Sequence, residues 1–297
     1  MKQLKFFLLI TVFVANIVNT ATAREAQLFG ATQWPAPCSA STRNAWDNMG
    51  DAWYDEITNT GFVIFGICLW GHCDKAYSRD YRKVNGDLNG DYFMEKLLFA
   101  NGQDRNNNRL DEADAALIFT HGADVSNHWR GNMRQKDSNG DCYINADEEL
   151  RVGDYDLEFL HLSSCNSLED NQLGNAIKIF GYPNNQRRLH LLTGFHGCMW
   201  IGNSFIDDYS DFADDAFDMS IGAAWMQNMY RTNINGEHTQ CPVAYAIGES
   251  SADCLDRLTT EQYDAVKADP SSVGAYCYYY YADCDPACED AFGNAWN

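Results

Sequence analysis

The sequence has little proline, 6 residues in 297, and its glycines and serines are nowhere gathered into a run that would act as a hinge. Division into independently moving units is therefore not expected. The roughly 270 residues after the leader are enough to bury one sizeable core. Basic residues are also few, with 21 Lys and Arg facing 42 Asp and Glu, a formal net charge of −21. A surface of that sign repels phosphate backbones, which excludes nucleic acid as a partner. After the first twenty residues there is no stretch of about eighteen apolar residues, so no later membrane-spanning helix is expected.

The one long apolar run lies at the start. Lys2 and Lys5 precede an apolar core over residues 6–18, and Ala21-Thr22-Ala23 supplies small residues for cleavage. This is the pattern of a signal peptide over 1–23, and its core is too short to cross a bilayer. The mature chain is expected to begin at Arg24 and to be secreted, extracellular or periplasmic. Cysteine, in contrast, is plentiful. Eleven occur, at positions 38, 68, 73, 142, 165, 198, 241, 254, 277, 284 and 288, none of them in the leader. An oxidising compartment favours disulfides among them, and the odd number leaves at least one sulfur over. Five fall in the last sixty residues, where a Cys-rich extension over 249–297 with local staples is expected.

Apolar runs and capping residues predict alternating elements. A strand over 28–33 is followed by a helix over 41–57 opened by Ser41 and Thr42, then by an apolar strand over 62–70. After a polar stretch, strands are predicted at 115–120, 157–163, 189–193 and 242–247, with helices at 171–180 and 205–229. Strands apolar on both faces, with helices between them, predict an α/β domain over 24–248. Its sheet is expected to be mostly parallel and covered by helices on both faces.

In such a sheet ligands bind at the carboxyl ends of the strands. Two ends stand out: Leu117-Ile118-Phe119-Thr120-His121-Gly122, and Leu160-His161-Leu162-Ser163-Ser164-Cys165. If the strands are neighbours, an imidazole faces a thiol. His121 would take the thiol proton and leave a thiolate able to attack an amide carbonyl. The backbone N–H groups of Gly122 and Cys165 would serve the oxyanion, and His121 would then protonate the leaving amine. A buried structural Cys165, or one bridged to Cys198, is the alternative.

A strand ending in His-Gly, followed by one ending in a small residue and Cys, resembles the caspase-like cysteine peptidases, which include caspases, gingipains, legumain and separase. Here 44 residues separate His121 from Cys165. The Ser163-Ser164-Cys165-Asn166-Ser167 context looks more like separase or bacterial relatives than the Gln-Ala-Cys of caspases. More narrowly, residues 157–167 joined to 188–196 and Ala223-Ala224-Trp225 resemble domain-of-unknown-function family 6345, a caspase-like set. The resemblance covers roughly residues 28–247 and implies a caspase-like three-layer sandwich more strongly than it implies an activity. The segment 75–108 and the tail after 248 are expected to depart from the family pattern.

Between the two candidate strands lies a run with the ligand spacing of an EF-hand calcium loop over 137–148. Asp137, Asn139, Asp141, Asn145 and Glu148 fall at positions 1, 3, 5, 9 and 12, with the Tyr143 carbonyl at 7 and Cys142 in place of the usual glycine at 6. A second run over 104–114 repeats the idea one residue short, with Asp104, Asn106, Asn108 and Asp114 as candidate Ca2+ ligands. Tyr278 to Tyr281 are read as a disulfide-tied strand. Asp207, Asp208, Asp211, Asp214, Asp215 and Asp218 are read as a solvated helix face, or as a lining that would favour basic substrate side chains.

These features lead to the expectation of a secreted, calcium-stabilised cysteine endopeptidase acting on a protein or peptide substrate. The alternative is a catalytically inactive extracellular calcium-binding structural or binding protein on the same fold.

Overall fold

The computed structural model describes residues 24–64, 67–126, 128–146, 148–168, 177–180, 187–234, 238–282 and 284. Its strands in chain order are β1 (Glu25–Gly30), β2 (Phe62–Ile64), β3 (Ile67–Trp70), β4 (Ser78–Val84), β5 (Ala115–Phe119), β6 (Gly122–Asp124), β7 (Trp129–Asn132), β8 (Tyr143–Asn145), β9 (Phe159–Ser163), β10 (Leu191–His196), β11 (Arg231–Ile234), β12 (His238–Gly248) and β13 (Ala275–Tyr279). The α-helices with described bounds are α1 (Ala45–Ile57), α2 (Ile206–Asp218), α3 (Ile221–Met229) and α4 (Ser251–Thr260).

The central sheet runs β4-β1-β5-β9-β10-β12, with the first five strands parallel and β12 antiparallel to β10. All five residues of β5 and of β9 are buried, as the apolar runs predicted for strands covered on both faces. A mainly parallel α/β sheet is therefore what the sequence forms. β12 is long enough for its outer edge to serve two partners, β11 near its start and β13 near its end.

One expected strand has a different place. The apolar stretch 62–70 is not in the sheet; β2 and β3 pair only with each other as an exposed hairpin, closed by a Cys68–Cys73 disulfide. Ile67 and Trp70 are 63% and 60% exposed there. The parallel neighbour of β1 is instead β4, with the polar sequence Ser-Arg-Asp-Tyr-Arg-Lys-Val. As the edge strand it shows one side to solvent, and its charges discourage pairing with other chains. An edge strand of this composition carries no apolar signature.

The predicted helix over 205–229 is two helices. Ser220 takes an extended conformation, and its hydroxyl accepts the Ala223 N–H at 3.2 Å, capping α3 and ending continuity with α2. The helices pack α1 on α2, α2 on α3 and α3 on α4, forming one layer on one face of the sheet. His161, in the middle of β9, reaches into that layer beside Trp53, Phe212 and Trp225. On the opposite face Phe29 packs against Tyr92 and Phe93, from a segment without long helices. The helices with described bounds lie on the first of these two faces. The predicted helix over 171–180 falls mostly outside the described residues.

The chain after Gly248 joins the domain through α4 and β13, tied by Cys254–Cys277 and Cys241–Cys284. The local staples expected of these cysteines are thus formed; Cys288 lies outside the described residues. The tail is also pinned by His190, wholly buried between the Glu261 carboxylate at 2.7 Å and that of Asp269 at 3.3 Å. Burial alone would push its pKa down, but the hydrogen bonds to Asp269 and Glu261 outweigh it and raise it above 6.5. Its stabilising contribution is therefore complete below the unfolded pKa and lost as pH rises through the folded one. The difference in thermal midpoint between wild type and His190→Gln should be larger at pH 6 than at pH 9.

Candidate active site at two strand ends

β5 and β9 pair in register from Ala115 opposite Phe159 to Phe119 opposite Ser163, and the Thr120 N–H continues the ladder to the Ser163 carbonyl at 3.3 Å. His121-Gly122 and Ser164-Cys165 therefore leave the sheet side by side. Gly122 makes the closeness possible. A Cβ at this position would lie 2.2 Å from both the Cys165 carbonyl oxygen and Ser164 Oγ, a distance that side chains do not tolerate.

His121 is 7% exposed and lies against Trp34 and Trp46, at ring-centre distances of 4.6 and 5.6 Å. Its Nε2 donates to the Ser41 backbone carbonyl at 2.7 Å. A carbonyl can only accept, so Nε2 carries the proton and Nδ1 is the basic nitrogen of the neutral ring. Burial lowers its pKa below 6.5 and Arg43 adds to the lowering, against the opposing Ser41 bond. The imidazole is neutral at pH 7.

Cys165 remains a thiol, 4% exposed. Its Sγ accepts the Met199 N–H at 3.3 Å and donates to the Met199 carbonyl at 3.6 Å. Cys198 is in a disulfide of its own, so the alternative Cys165–Cys198 bridge is not formed. The site is held by groups that sequence reading did not identify. Ser163 Oγ receives the Trp46 indole N–H at 2.9 Å and lies 2.6 Å from the Tyr209 hydroxyl, while Ser164 Oγ receives the Trp129 indole N–H at 2.9 Å. The Ser41 and Met199 contributions are backbone atoms, which leave no trace in residue identity. In the chain that follows Met199, a cavity of about 400 Å³ opens between Trp200, Ile201, Phe205 and Arg231. Arg231 forms a two-point ion pair with Asp208, so Asp208 is buried and not part of a solvated face.

The candidate calcium ligands meet only in part. Asp137 is buried, and its Oδ1 accepts the N–H groups of Asn139 and Asp141, both at 2.9 Å. Its Oδ2 is buried without a hydrogen-bond partner among the described residues. A Cβ on Gly90 would fall 3.0 Å from that oxygen and 3.2 Å from the Tyr143 carbonyl, so positions 1 and 7 do converge, on a space that glycine leaves open. Other members point elsewhere. Asn139 Oδ1 receives the Asn101 amide, Asn145 Oδ1 receives Arg130 Nε at 3.0 Å, and Glu148 is exposed. Its neighbour Glu149 is the buried one, accepting the Asn145 N–H at 2.9 Å. Cys142 is disulfide-bonded to Cys38.

The run over 104–114 does not close on itself. Asn106 and Asn108 are exposed, and Asp114 accepts the Glu25 N–H and groups with Asp156 and Glu158. Asp104 is wholly buried and groups with Glu95 and Asp154. Burial, with Glu95 and Asp111 nearby, pushes its pKa up to about 8.

The model of a family described as a domain of unknown function (DUF6345) matches residues 74–282, more than half of the chain. The chain belongs to this family. The match includes both the 75–108 segment and the tail as far as 282, which corrects the expectation that these depart from the family pattern; β1 and α1 lie before it. Comparison with curated proteins and with solved structures found no match in either. Among the described residues, no helix of the DUF6345 chain is long and apolar enough to cross a membrane.

Proposed function

We propose that the protein is a secreted cysteine endopeptidase on a caspase-like fold, with Cys165 as nucleophile and His121 as general base and acid. The observation that carries this reading is the meeting of His121-Gly122 and Ser164-Cys165 at the ends of adjacent parallel strands, with Cys165 still a thiol. The strand order and the antiparallel closing strand are compatible with the fold.

In the reaction, Nδ1 of His121 takes the thiol proton while Ser41 holds Nε2–H. The Met199 N–H that now contacts Sγ favours the thiolate. Attack on the amide carbonyl gives a tetrahedral oxyanion, for which the N–H groups of Gly122 and Cys165 are the proposed donors. The imidazolium returns its proton to the leaving amine, and water, deprotonated by His121, hydrolyses the resulting thioester. A substrate side chain would lodge in the cavity between Trp200 and Arg231. The calcium ion of this reading belongs to the 137–148 loop, supported by the unsatisfied Asp137 Oδ2 next to the Tyr143 carbonyl. Secretion is supported by the leader and by the disulfides.

A second reading, a non-catalytic binding protein on the same fold, draws on the burial of both site groups. Labelling the oxidised mature protein with a peptide-mimicking thiol electrophile, with and without calcium, separates the two. The peptidase reading expects modification at Cys165 that is lost in His121→Ala; absence of labelling at Cys165 favours the binding protein. Because burial lowers the His121 pKa, labelling should persist to lower pH than an unperturbed imidazole would allow.

A further inference from the structure

We infer that Glu95, Asp104 and Asp154 hold a second calcium ion, at a buried site separate from the 137–148 loop. One carboxylate oxygen from each lies within 4.8 Å of the others, the span that a single ion's ligands occupy. Glu95 and Asp104 are wholly buried, and the Asp154 side chain is 8% exposed.

The cluster alone would be only a concentration of charge. What points to a ligand is Asp104. Its Oδ1 accepts the Lys96 N–H at 2.8 Å, whereas its Oδ2 is equally buried and finds no hydrogen-bond partner among the described residues. A buried carboxylate oxygen without a partner is costly, and the neighbouring carboxylates make it more so. Arg105 supplies one cation, ion-paired with Asp154 and 3.6 Å from Glu95. Glu95, Asp104 and Asp154 share this dry place with the Arg105 guanidinium, and a divalent ion would balance carboxylates whose charge burial otherwise disfavours. The donor set is all carboxylate oxygen, with no thiolate or imidazole, and this selects a hard cation over zinc or copper.

The backbone holds the site ready before the ion arrives. The Leu97 N–H bonds Glu95 Oε1 at 2.7 Å, the Asp104 carbonyl accepts the Asp111 N–H at 2.8 Å, and Asp111 in turn accepts the N–H groups of Gly153 and Asp154. The segment 95–104 and the distant stretch around residue 154 would thus be fastened by one ion. The inference does not depend on the thiol chemistry.

Native mass spectrometry of the EGTA-treated mature protein, titrated with calcium chloride, tests it. Wild type should take up one ion more than Asp154→Asn, and Asp137→Asn should leave that ion in place; calcium affinity at the site should fall at least tenfold in Asp154→Asn. Should Asp154→Asn not fold, hydrogen exchange in wild type and Asp137→Asn decides, since calcium should protect the amides of Lys96 and Leu97 in both. Equal uptake by wild type and Asp154→Asn overturns the inference, as does exchange at 96–97 that calcium does not change. Loss of an ion in Asp154→Asn but not in Asp137→Asn would keep this site and remove the loop site.

Discussion

Replacing Cys165 by alanine is expected to lower hydrolysis of a peptide substrate by about 10³-fold or more while leaving the thermal midpoint nearly unchanged, because no acyl-enzyme can form without the sulfur. Cys165→Ala removes a single atom, the sulfur that accepts the Met199 N–H and donates to its carbonyl, so the fold loses little. His121→Ala should cost about 10²–10⁴-fold, the range for loss of a general acid–base group. It should also destabilise, since a buried ring between Trp34 and Trp46 is replaced by a void. The double variant should be scarcely worse than Cys165→Ala alone, because base and nucleophile act as one unit. Activity that survives in Cys165→Ala would remove the thiol from the mechanism. Steady-state rates on a peptide library, beside melting curves, give both quantities.

The sequence was most legible where burial dictates residue type. β5 and β9 are sealed on both faces, so apart from His161 the residues Ala115 to Phe119 and Phe159 to Ser163 are apolar or small, and His121 and Cys165 just beyond their ends stood out. It misled where environment and composition part company. β4 is polar because it is an edge, and the 62–70 stretch is apolar although it lies outside the sheet. Ligand spacing singled out Asp137 and the Tyr143 carbonyl, which do lie near one space, but not that Glu149 and not Glu148 is the buried carboxylate, which depends on where β8 ends and the chain turns. Asp104 stood in a local motif, yet Glu95 and Asp154, whose carboxylates group with it, lie 9 and 50 positions away in the chain, and no local spacing rule connects them.

The second large effect concerns Cys38–Cys142, which joins residues 104 positions apart. Closing a loop of that length in the unfolded chain accounts for about 4–5 kcal/mol in the chain-entropy model, and native bridges of this kind commonly contribute about 2–5 kcal/mol. Cys38→Ala/Cys142→Ala should therefore lower the urea midpoint strongly. The bridge does more than shorten the unfolded ensemble. Cys142 occupies position 6 of the 137–148 loop, and Cys38 lies three residues before Ser41, whose carbonyl fixes the His121 tautomer. Loosening that segment frees Nε2–H to find other partners and lets Nδ1 take the proton in a share of molecules. Peptide hydrolysis should consequently fall even at temperatures where the double variant is fully folded. Cys68–Cys73 is the control: it spans 5 positions, worth roughly 2 kcal/mol in the same model, and it lies in a hairpin outside the sheet. Cys68→Ala/Cys73→Ala should leave both activity and the main unfolding transition close to wild type. If removal of the two bridges has equal effects on activity, the coupling between the Cys38 segment and His121 is wrong; if only the Cys38–Cys142 variant loses activity while folded, the tautomer held by Ser41 is part of the site.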